Sequence, residues 1–162
     1  MVQSLRTRLI KLWTIKLLIM KSIFSNYPVE NGTYNDAVQY IRVLHFIAGV
    51  DGVHEDEVKA IKFLISSHNW ADSCYDDALK SPLKSISELN LSDETKQIFS
   101  VYIVRDSVAI AHMEGGYSQI ERDHIAAIAK EFLISDDKLR LVEKAVENQI
   151  NSIRDWSKAL NS

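Results

Sequence analysis

Met113-Glu114-Gly115-Gly116-Tyr117-Ser118-Gln119-Ile120-Glu121 joins two apolar helical runs. Upstream the chain reads Val108-Ala109-Ile110-Ala111, and downstream Ile125, Ile128, Ala129 and Phe132 recur at helical spacing. Gly115-Gly116 supplies the permissive backbone on which one helix ends and the next begins. The Ser118 hydroxyl can then accept from the Glu121 N–H while the Glu121 carboxylate accepts from the Ser118 N–H, which is a capping box. The stretch therefore predicts a helix-elbow-helix unit with an acidic residue on each side of the turn.

An earlier copy is present. Val50-Asp51-Gly52-Val53-His54-Glu55-Asp56-Glu57 aligns with the elbow once one glycine is removed. Asp51 then falls on Glu114, Gly52 on Gly115, Val53 on Tyr117 and Glu57 on Glu121. The register persists through Ile61 with Ile125, Leu64 with Ile128, Trp70 with Ile134 and Asp72 with Asp136. His54 is a poorer cap than Ser118, but the repeated pattern reads as an internal duplication.

The doubled elbow resembles the TerB-like tellurite-resistance family, whose helices are broken by Ala-Asp-Gly, a β-branched residue, a Ser or Thr cap, and Glu. Here Val50-Asp51-Gly52 and Met113-Glu114-Gly115 stand in place of Ala-Asp-Gly, with Glu for Asp in the second copy. The resemblance spans roughly residues 38–145 and leaves the N-terminal segment outside. It implies a non-enzymatic, cytoplasmic module of stress or metal response that works through protein partners. It also implies that the acidic elbow residues Asp51, Glu57, Glu114 and Glu121 are candidate ligands of a divalent cation, whether calcium, magnesium, manganese or zinc.

The residues themselves leave two readings of those acids open. If the two copies pack about a pseudo-twofold axis, the elbows could pool four carboxylates, a donor set suited to hard cations. Alternatively Glu57 and Glu121 serve as capping-box residues, favoured near helix N-termini by the backbone dipole. A metal-dependent enzyme using these carboxylates and a plain oligomerising scaffold are the other functional readings.

Composition bounds the rest. The chain has 162 residues, 46% hydrophobic and 25% charged, enough for one domain with a core. Its net charge of -3 gives no electrostatic footprint for nucleic acid. Cys74 is the only cysteine, so neither an internal disulfide nor a cysteine-based zinc site is expected, in keeping with a reducing compartment. Three acids near Cys74 (Asp72, Asp76 and Asp77) argue against an activated thiol. An EF-hand fails because its first ligand position would be Ile110. Glu121-x-x-His124 would suit a di-iron bundle, but its counterpart is Glu57 with Ala60.

In chain order, residues 5–24 predict a helix both apolar and basic. Lys11, Lys16 and Lys21 keep its apolar runs below the roughly 20 residues of a membrane span. The scatter of its cations around the helix favours packing on the domain or on a second subunit, with peripheral membrane association as the alternative. Thr33 or Asn35 caps a central helix to Ala48, and a helix from Glu55 to about Ser67 follows the first elbow. Ser73 and Ser81-Pro82 predict two short helices, and Ser92 a long one whose apolar body is broken only by Arg105-Asp106. Gln119–Leu133 and a last helix from Ser135 to about Lys158 complete the chain. His45 and His112 read as packed side chains, His54 and His68 as residues near turns, and Trp13, Trp70 and Trp156 as core or interface anchors.

The expected fold is thus all-α, a single domain over residues 1–162 with about seven helices. Residues 1–24 form an extra helix, and the pseudo-twofold-related units lie at about 38–80 and 98–145. The apolar stripes of the two terminal helices suggest a homodimer formed through them.

Overall fold

The computed structural model describes residues 2–29, 32–113 and 116–161, with side chains from residue 11 to residue 160. Seven α-helices form one bundle: α1 (Val2–Met20), α2 (Tyr34–Ala48), α3 (Glu55–Ser67), α4 (Ser73–Lys80), α5 (Asp93–Ala111), α6 (Gln119–Glu131) and α7 (Asp136–Asn161). Among the described residues there is no strand, and no helix is long and apolar enough to cross a membrane.

The two helices that precede the elbows, α2 and α5, are the centre of the bundle and pack on each other more extensively than any other pair. Each is apolar on most sides, so it is stable only where neighbours cover it all round. Tyr40, Ile41, Val43, Leu44 and Ile47 of α2 are fully buried, as are Phe99, Ile103, Val104, Val108 and Ile110 of α5. Around Tyr40 the rings of Phe99 and Trp70 stand edge to face with centroids 5.0 and 5.2 Å away. Such pairs add about 0.5–1.5 kcal/mol each beyond the area they bury.

Helices α3 and α6 match each other closely. Both have 13 residues. Both end on a residue in the left-handed region, Asn69 at φ 55° and Leu133 at φ 57°. Past it, the Trp70 N–H donates to the Ile65 carbonyl at 3.0 Å, and the Ile134 N–H to the Ala129 carbonyl at 2.8 Å. These are equivalent Schellman closures. The helices before the elbows also end alike, with Gly49 donating to His45 and His112 to Val108. Leucine is poorly suited to a left-handed position, where its Cβ crowds the following carbonyl. Since Leu133 is 76% exposed and makes little use of its side chain, Leu133→Asn, which copies Asn69, is expected to stabilise the protein by about 0.5–1 kcal/mol. Urea denaturation checks it; a loss of stability would mean that Leu133 contributes packing.

One expectation needs correction. Ser81-Pro82 starts no α-helix; residues 81–85 are irregular and lead only into a 3-10 turn, Ile86–Glu88, capped by Ser85. Arg42 Nε donates to the Ser81 carbonyl at 2.6 Å, engaging an acceptor that a helix starting there would use. The residue before proline is in any case biased away from helical geometry, and Leu83, Leu89 and Leu91 bury the segment against the bundle instead. The short helix expected at Ser73 is present as α4, with Asp76 in its first turn; Asp72 before it makes no side-chain capping bond, and the Ser73 hydroxyl accepts from Tyr34 at 3.0 Å.

At the N-terminus, α1 runs into one wider π-helical turn, Lys21–Ser25, that buries Ile23 and Phe24. The Gln149 amide of α7 donates to the Ser22 hydroxyl at 2.6 Å and to its carbonyl at 3.0 Å. Lys16 pairs with Asp56, and the Lys59 ammonium sits 4.6 Å from the centre of the Trp13 ring. The terminal helices thus lie side by side, α1 joined to the start of α3 and α7 to the second elbow.

Candidate functional site

At the first elbow Gly52 takes φ 107°, which an L side chain would resist. Asp51 beside it is exposed. Glu57 is buried, and its Oε2 accepts from the His54 N–H at 3.0 Å. At the second elbow Glu121 is buried, and its Oε2 accepts from the Ser118 N–H at 2.6 Å while Ser118 Oγ accepts from the Glu121 N–H at 3.3 Å. Glu114 and Gly115 lie outside the described residues.

The same device opens α2, away from either elbow: Asp36 accepts from the Thr33 N–H at 2.8 Å and Thr33 Oγ1 from the Asp36 N–H at 3.2 Å. A capping box with an acid at the third helical position thus opens three of the helices, α2, α3 and α6. Its physical basis is the row of unpaired N–H groups at a helix N-terminus. Among the described residues, Asp51, Glu57 and Glu121 do not gather into a metal-ligating group of three or more His, Cys, Asp or Glu side chains.

The elbows differ in their neighbours. Val53 is exposed, whereas its counterpart Tyr117 donates its hydroxyl to Glu143 of α7 at 2.5 Å. The Arg122 guanidinium lies 3.9 Å from the centre of the Tyr117 ring and 3.7 Å from Glu143. Burial and the Glu143 carboxylate raise the Tyr117 phenol far above its ordinary range, so it remains a donor. His124 does not join Glu121 as a ligand pair; its Nδ1 lies 2.8 Å from the Ile120 carbonyl and its ring packs against Phe46. His45 and His112 are half-buried against Tyr75 and Tyr117, and burial lowers the pKa of both. Burial first, then the charge of Asp77, raises the Cys74 thiol.

The most concentrated polar chemistry lies elsewhere, inside the bundle. Asp106 of α5 is completely buried. The Tyr40 hydroxyl donates to its Oδ2 at 2.6 Å and Arg105 Nε to its Oδ1 at 2.6 Å. His68, also buried, faces the carboxylate with Nε2 3.7 Å from Oδ2 and accepts from the Val29 N–H on Nδ1 at 3.3 Å. Arg105 reaches on to donate from Nη1 to the Tyr27 carbonyl at 2.6 Å. One carboxylate thus organises α2, the end of α3, α5 and the segment that leads from α1.

Burial alone would raise the Asp106 pKa, but the charge of Arg105 and the surrounding donors outweigh it and hold the carboxyl below its usual range. Tyr40 is driven well above its range, by burial first and by the Asp106 charge second. With Asp106 and Tyr40 sealed from solvent, the cluster suits a structural clamp better than a site of turnover. The sequence carried its signal as Arg105-Asp106 within the apolar body of α5, but the partners at Tyr40 and His68 are remote along the chain.

Compared with models of protein families, with curated proteins and with solved structures, the chain finds no match.

Proposed function

We propose that the chain is a non-enzymatic interaction module of the TerB-like kind, acting in stress or tellurite resistance through protein partners. The observation that carries this reading is the paired elbow: two helices of equal length, each with a glutamate at the third position accepting from its cap residue, and each closed by the same left-handed turn. That correspondence supports duplicated units related by a pseudo-twofold, the feature on which the resemblance rests. A partner-binding role is supported by the exposed Leu18, Trp156 and Leu160 on the terminal helices. A divalent cation held through Asp51, Glu57, Glu114 and Glu121 is the finer form of the proposal. The capping bonds of Glu57 and Glu121 favour the simpler form without it.

The test is physiological. Cells from which the chain is deleted are expected to stop growing at lower tellurite concentrations, and re-expression of the intact chain is expected to restore tolerance. Equal tolerance with and without the chain would overturn the tellurite reading.

A further inference from the structure

His68 closes α3 with its side chain wholly enclosed. Its Nδ1 accepts from the Val29 N–H at 3.3 Å, and a backbone amide can only donate. Nδ1 therefore carries no proton while that bond stands. The uncharged ring holds its proton on Nε2, the nitrogen 3.7 Å from Asp106 Oδ2. That separation is too long for a hydrogen bond, and Nε2 makes none among the described residues. The ring is thus bonded on its backbone side and held short of the carboxylate on the other.

A second proton has one place to enter. It must go to Nδ1, where the Val29 N–H already points, and two N–H groups cannot share one bond. Protonation therefore breaks the Val29 contact, while the charged ring is drawn towards Asp106. Among the described residues, the other charged or titratable groups gathered on this carboxylate are Arg105 of α5 and Tyr40 of α2. Arg105 opposes a charge on the ring and Asp106 favours it. Tyr40 already donates to the oxygen that His68 faces, at 2.6 Å.

The segment at stake hangs on the same cluster. Two backbone bonds fasten Tyr27-Pro28-Val29 to the bundle, and each runs to a neighbour of Asp106. The Tyr27 carbonyl accepts from Arg105 Nη1 at 2.6 Å, and the Val29 N–H is the one held by His68. Pro28 between them has no N–H to offer. We infer that His68 is an acid-released latch: uncharged, it holds the segment leading from α1 to α2, and protonated, it lets residues 26–29 open while the core stays closed. The latch is independent of the reading as an interaction module and adds a control on the N-terminal side of the bundle.

Amide hydrogen exchange and nitrogen-15 spectra of the full chain, followed from about pH 8 to about pH 5, test it. Asp106 stays ionised across that range, since its carboxyl is held below the usual one. In the neutral protein the His68 ring is expected to show the tautomer protonated at Nε2. As the ring takes up its second proton, the Val29 amide is expected to lose protection about 10-fold relative to the free-peptide rate at each pH, the equivalent of one hydrogen bond. Amides of α2 and α5 are expected to keep theirs. In His68→Gln, whose side chain can accept but cannot titrate, Val29 protection should not respond to pH. The wild-type measurement decides the matter even where that variant folds poorly. Val29 protection that is constant through the titration overturns the latch, as does a ring that stays uncharged until the whole chain unfolds. Simultaneous loss of protection across α2 and α5 overturns it too, because the opening would then be global.

Discussion

Asp106→Asn is expected to destabilise the protein by about 3–5 kcal/mol, the usual cost of leaving one member of a buried ion pair without its partner. The substitution keeps the side chain's size and removes its charge, so Arg105 loses its counterion in a site where only 11% of its side chain is exposed. For a chain of this length the melting temperature should fall by roughly 6–20 °C. Tyr40→Phe removes a single hydrogen bond to the same buried carboxylate and should cost less, about 1.5–3 kcal/mol. Replacing both charges, as Arg105→Met with Asp106→Leu, should cost much less than the sum of the single changes, because no charge is then left unpaired. A loss below 1 kcal/mol for Asp106→Asn would mean that water or rearrangement rescues Arg105, and the clamp would have to be abandoned.

The same residue sets a direction with pH. The folded protein holds the Asp106 carboxyl below its usual range. Its contribution is therefore present above the unfolded value, about 3.9, and is lost as pH falls through the still lower folded value. Acid should consequently erode the advantage of the wild type over Asp106→Asn. Chemical denaturation across that window measures it, and a constant difference between the two proteins would contradict the assignment.

Ser118→Ala is expected to cost about 1 kcal/mol, equally with chelator and with added metal, because its hydroxyl caps the first turn of α6. Under the capping arrangement, calcium, magnesium, manganese and zinc leave the wild-type melting temperature unchanged. A cation bound through Asp51, Glu57, Glu114 and Glu121 demands a different result. At 100 times its dissociation constant it would stabilise the wild type by about 2.7 kcal/mol. Glu114→Gln would then abolish that gain while leaving metal-free stability nearly intact. Melting curves of the wild type and the two variants, with chelator and with each ion, separate the arrangements. Stabilisation by any one ion that Glu114→Gln removes would favour the cation form of the proposal.

Local grammar made most of the helices legible. Thr33, Ser92, Ser118 and Ser135 each sit where a cap is needed, and α2, α5, α6 and α7 begin immediately after them. The doubled elbow marked α2 and α5 as central because each is apolar nearly all round, a property carried within a dozen consecutive residues. Capping bonds, too, close over three or four residues, and the glutamates at 57 and 121 could be assigned that role from spacing alone.

Other features depended on residues that only the folded chain brings together. Asp106 reads along the chain as a charge interrupting an apolar run; its partners lie 66 residues away at Tyr40 and across the bundle at His68. Nothing in the immediate sequence of His68 distinguishes a turn residue from one whose ring lies between Val29 and Asp106. The segment after Ser81 is likewise decided from a distance, by Arg42 and by the surface on which Leu83 docks. Helix starts are governed by hydrogen bonds that span a few residues, so sequence determined them. Burial of a charge is governed by the packing of remote helices, whose low-polarity surroundings make pairing obligatory, and that only the tertiary structure decided.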